Sequence, residues 1–85
     1  MKNKTTWKDR YLISISEDCT IKDIMLLRNC GEPTATKIRD DCRDYCIAND
    51  IEFNMRKIPT CSVLAVTNKD IEYYYNQMML ESRAY

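Results

Sequence analysis

Five cysteines, six tyrosines and not one histidine define the chemistry open to this 85-residue chain. Cysteine is the side chain best suited to metal ligation or nucleophilic attack. Cys19, Cys30, Cys42, Cys46 and Cys61 contain no CxxC pair, however, and their spacing is too irregular for a zinc knuckle. Nothing in the sequence supplies an imidazole base, a phosphate-cradling glycine loop, a nucleophile elbow or a paired-carboxylate motif. A chain this short also struggles to enclose a substrate pocket. The expectation is a protein that is not an enzyme and carries no metal or cofactor. An odd cysteine count without a secretory leader reads as small buried hydrophobes in a reducing compartment, with Cys42 and Cys46 four apart on one apolar helix face. No apolar run reaches membrane length, and Lys2 and Lys4 are not followed by a signal-peptide core. The expected setting is the cytoplasm, away from any membrane.

Cations are the other groups with chemistry to offer, because arginine and lysine bind phosphate. Thirteen basic residues are balanced by thirteen acidic ones, which speaks against a uniformly basic surface. The distribution is uneven. Lys2, Lys4, Lys8 and Arg10 face Asp9 alone near the N-terminus, and Arg56-Lys57 form a second basic spot. Acids gather at Asp40, Asp41, Asp44 and Asp50.

The elements that would position these cations are legible in outline. With one glycine and two prolines the chain is too poor in turn residues for an all-β fold. Thr20 and Asp23 outline a capping box that opens a helix over 21–28. Gly31 then stops it, and Pro33 starts a second helix that runs to about Ala48. Two helices joined so tightly have the grammar of a helix-turn-helix. Ala35, Ile38, Cys42, Tyr45 and Cys46 form the inner stripe of the second helix. If it is a recognition helix, Thr34, Thr36 and Lys37 meet base edges while Arg39 and Arg43 reach phosphates. The alternative is a solvated face of internal ion pairs, and the three aspartates there repel phosphate.

Flanking segments are expected as short strands and closing helices. Tyr11, Ile13 and Ile15 alternate as in a strand, either part of a wing or an extended lead-in. Ile51, Phe53 and Met55 alternate likewise and lead to Arg56-Lys57, a basic tip suited to backbone phosphates or simply a solvated turn. Thr60 is placed to cap a brief helix through Val66, and Thr67-Asn68 to cap a last helix over 69–81. That last helix should bury Ile71, Tyr74, Tyr75 and Met78 and leave Tyr73 and Leu80 outside, either as ordinary surface or as a thin self-association or partner patch. The organisation is an arm over 1–6, one domain over 7–81 and a tail over 82–85.

Three segments carry a resemblance to a known family: WKDRYLISISE at Trp7–Glu17, TIKDIMLLRNCGEPTATKIRD from Thr20, and NDIEFNMRKIPTCSVL from Asn49. In order and character they resemble the small excisionase-like winged helix-turn-helix proteins of phages and integrative elements, which have a MerR-like DNA-binding fold. The resemblance implies a mainly α fold with a small β wing, and a non-catalytic architectural factor. Such a factor binds specific double-stranded DNA, assists an integrase in site-specific recombination, self-associates on DNA and in related proteins regulates transcription. Carried over by position, Thr34, Thr36, Lys37 and Arg39 would read the major groove, and Arg56 and Lys57 would contact the minor-groove side or the backbone. A competing reading keeps the same scaffold as a protein–protein module that docks a host or phage regulator through its acidic face.

Overall fold

The computed structural model describes residues 6–83. Among these residues, five helices and one two-stranded sheet follow in the order α1 (Trp7–Ser14), β1 (Asp18–Cys19), α2 (Ile21–Arg28), α3 (Glu32–Ala48), β2 (Ile58–Pro59), α4 (Thr60–Thr67) and α5 (Ile71–Arg83). The domain is therefore mainly helical, with a minimal antiparallel sheet in which Asp18 pairs with Pro59 and Cys19 with Ile58. Packing passes from α5 to α1, from α1 to α2, from α2 to α3 and from α3 to α4. Ile24, Leu27, Ala35, Cys42, Ile58, Val63 and Tyr74 form the sealed centre.

The first segment corrects the expected strand over Tyr11–Ile15, because those residues lie in and just beyond helix α1. Thr6 accepts from the Asp9 amide at 3.1 Å while the Asp9 carboxylate accepts from the Thr6 amide at 3.2 Å. This reciprocal cap satisfies donors that a strand would leave to a partner. Trp7, Tyr11 and Ser14 then recur at helical spacing and turn inward. Trp7 meets Tyr73 edge-on at 6.0 Å, and Tyr11 meets Tyr75 at 5.7 Å. Thr6 thus belongs to the fold and not to a separate arm, whereas Lys2 and Lys4 lie outside the described residues. Ser82 and Arg83 likewise continue α5, and residues 84–85 of the expected tail lie outside the described residues.

The sheet also differs from expectation. Ile51, Phe53 and Met55 are half-buried in the alternation that was read from them, but no ladder forms there. Only Asn54 pairs with Lys57 across a tight turn. The paired strands are β1 and β2, two residues each, too short to leave a periodicity in the sequence.

The closing helices are present with shifted caps. Thr60 is not a cap but the first residue of α4, 2% exposed, with its hydroxyl 3.2 Å from both Cys19 Sγ and Ser16 Oγ. Asn68 ends α4 in the left-handed region at φ 60°, so it closes one helix instead of opening the next. Asp70 takes that role, accepting from the Tyr73 amide at 2.8 Å. On α5 only Tyr74 of the expected stripe is fully buried; Ile71 and Tyr75 are exposed, and Tyr73 turns onto Trp7.

Candidate nucleic-acid interface

The joint between α2 and α3 is built from caps. Thr20 and Asp23 form the expected reciprocal box, with bonds of 3.2 and 3.0 Å. The stop differs from the expected one. Asn29, at φ 53° and ψ 52°, is the left-handed residue, and the Asn29 and Cys30 amides both donate to the Met25 carbonyl. Gly31 has an ordinary φ of −82° and serves as the N-cap of α3, which starts one residue before the predicted Pro33. Asparagine tolerates the left-handed region better than most side chains, which is why the glycine was free to sit elsewhere. Three residues, Asn29, Cys30 and Gly31, separate the helices.

Along α3 the inner stripe is as expected at Ala35, Cys42 and Cys46, all sealed, with Ile38 and Tyr45 half-buried beside them. Of the residues assigned to base edges, Thr34 and Lys37 are exposed, whereas Thr36 is half-buried. Each cation on this helix already faces a carboxylate. Lys37 lies 3.7 Å from Asp41, Arg39 lies 3.5 Å from Asp40, and Arg43 directs both Nη2 and Nε to one oxygen of Asp44 at 3.2 Å. Pairs at this exposure contribute roughly 0–1 kcal/mol, so they hold the side chains loosely. Their effect is on the field: beyond a Debye length of roughly 8 Å the outer face of α3 carries almost no net positive charge. Arg39 Nε is buried with no hydrogen-bond partner among the described residues, leaving that guanidinium incompletely satisfied.

The second group of cations is placed differently. Asn54 accepts from the Arg56 amide at 2.8 Å through its side chain and from the Lys57 amide at 3.0 Å through its carbonyl. This Asx turn directs Arg56 and Lys57 to solvent, and no residue from 54 to 57 has a positive φ. Asn54 is the positioning residue that sequence reasoning passed over; its place two residues before Arg56 was the available signal. Neither cation makes an ion pair among the described residues. A shallow recess of about 400 Å³ behind the tip is lined by Asp18, Glu52, Asn54 and Lys57 among others, so acids stand nearby without closing on the lysine.

The cysteines divide between core and surface. Cys19, Cys42 and Cys46 are buried, Cys30 is half-buried and Cys61 is exposed, all as free thiols. Burial pushes the Cys42 thiol up to about 11, against the smaller opposing effect of its hydrogen-bonding neighbour Ser62. Cys19 is raised for the same first reason. These thiols are protonated at neutral pH and poor nucleophiles. Among the described residues no helix is long and apolar enough to cross a membrane.

The arrangement offers a tight helix pair with an exposed helix start, a self-neutralised outer face and an exposed basic tip on an Asx turn. No protein-family model, curated protein or solved structure matches the chain.

Proposed function

We propose that this chain is a winged helix-turn-helix DNA-binding protein. Helix α3 would enter the major groove, and the turn at Asn54–Lys57 would act as a short wing on the backbone. The observation that carries the reading is the tip itself. Two adjacent cations, held outward by an Asx turn and free of carboxylate partners among the described residues, suit a phosphate contact. Thr34 and Lys37, exposed near the start of α3, remain the base-reading candidates, and Arg39 and Arg43 can exchange a neighbouring carboxylate for a phosphate at little cost. The role proposed with it is non-catalytic and architectural, assisting an integrase in recombination or acting in transcriptional control. A salt-titrated shift assay on duplex DNA tests it. Arg56→Ala should weaken binding to all sequences and flatten the salt slope by about one, whereas Lys37→Ala or Thr34→Ala should alter sequence preference. Affinity indifferent to salt would overturn the reading.

A second reading is favoured by a specific observation, the pairing of every α3 cation with an aspartate. A face so neutralised, with Asp40, Asp41 and Asp44 on it, suits a basic protein partner better than a polyanion. A stoichiometric protein complex with no DNA retention would favour that alternative.

A further inference from the structure

Helix α5 packs on α1 with one side and leaves Met79 exposed on the other, with Tyr75 and Leu80 exposed on its two flanks. Tyr75, Met79 and Leu80 are 44%, 37% and 58% exposed. Tyr75 is steadied from behind by Tyr11, edge-on at 5.7 Å, so its ring stands out at a fixed angle. Glu72 and Arg83 bracket this surface, both exposed and without an ion pair among the described residues. Glu72, Asn76, Met79 and Arg83 step by four, three and four, the spacing of a seam between two helices, with Met79 its one apolar member and charges at both ends.

We infer that this seam binds a second copy of the chain, with the two α5 helices antiparallel about a two-fold axis between Gln77 and Met78. The charges select that occupant. An acid at the start of the seam and a base at its end are complementary to the same surface turned end for end. About that axis, Glu72 of one copy comes level with Arg83 of the other, twice. Asn76 comes level with Met79, and Tyr75 lies beside the Met79 of the other copy. The two ion pairs close the ends of the seam, roughly 16 Å apart at 1.5 Å per residue. A parallel pairing would set Glu72 against Glu72 and Arg83 against Arg83. One helix per copy covers less than the roughly 800 Å² per partner of a standard interface, so the dimer should dissociate on dilution. The seam is on the helix that packs on α1, not on α2 or α3, so it stands or falls apart from the DNA reading.

Sedimentation equilibrium from about 10 μM to 1 mM tests it, with circular dichroism melts to show that each variant folds. The mass should rise with concentration from 10.1 kDa toward twice that value. Glu72→Arg or Arg83→Glu alone turns two attractive pairs into two repulsive ones and should weaken the dimer about ten-fold. The double reversal, Glu72→Arg with Arg83→Glu, should restore wild-type affinity to within about three-fold. A wild type that stays monomeric to 1 mM would overturn the inference. So would assembly beyond a dimer, single reversals without effect, or a double reversal that fails to restore pairing.

Discussion

The joint between α1 and α5 is made of rings, whereas the joint among β1, α3 and α4 is made of side chains little larger than a thiol. In the first, Trp7, Tyr73 and Tyr74 pack against one another at centroid distances of 5.1 to 6.4 Å. Arg10 covers the Trp7 face at 4.3 Å, and the Glu81 carboxylate accepts from the Trp7 amide at 2.9 Å. In the second, Cys19, Ala35, Cys42, Cys46, Thr60, Ser62 and Val63 are all sealed. Small side chains let backbones approach closely, but each buried hydroxyl then needs a partner. Ser62 finds the Pro59 carbonyl at 2.6 Å, and Thr60 finds Cys19. The rings secure their joint by volume; the small residues secure theirs by fit, in a site whose burial raises the Cys19 and Cys42 thiols.

That contrast sets unequal costs. Tyr74 is fully buried, holds the ring stack and accepts a hydrogen bond from Arg28 at 3.2 Å. Tyr74→Ala should cost about 4 kcal/mol in urea unfolding, as transfer loss and cavity add. A loss under about 1.5 kcal/mol would mean that the ring joint collapses freely and the contrast fails.

Alkali should act on the small-residue joint. Cys42 rises from 9.0 to about 11 on folding, so the folded state keeps a proton that the unfolded chain gives up. Its contribution is fully present below pH 9 and is lost as pH climbs through about 11. Two pH units correspond to about 2–3 kcal/mol; Cys19 in the same joint is raised in the same direction and adds to it, as Tyr74 does from the ring joint. Urea melts from pH 8 to 11 under reductant should show the decline, and Cys42→Ala should make it shallower. A flat wild-type profile would show water reaching that joint.

The smallest effect is the sharpest comparison. At neutral pH, Cys42→Ala removes one sulfur from a sealed site and should cost about 1 kcal/mol, near the value of a buried methylene. A loss matching Tyr74→Ala would erase the distinction between the two joints.

How much could be read beforehand follows from where the signals are local. The Thr20–Asp23 cap, the extent of α3 and its stripe of Ala35, Cys42 and Cys46 were visible, because capping and helical periodicity act within a few residues. The Thr6–Asp9 box is equally local, but the sequence reading passed over it and followed a five-residue alternation instead. Arg56 and Lys57 were found as a basic pair, but the Asn54 turn that aims them required backbone geometry.

By itself, then, the sequence determined the helix pair around residues 29–31, the apolar face of α3 and the chemistry that the side chains make available. Tertiary structure decided the rest. It chose β1 and β2 as partners, since two-residue strands exist only through each other. It made Thr60 a buried contact instead of a cap and turned Tyr73 inward onto Trp7. It also left Tyr75, Met79 and Leu80 uncovered. Those outcomes depend on which surfaces meet across long stretches of chain, and a side chain's own neighbours in sequence do not carry that information.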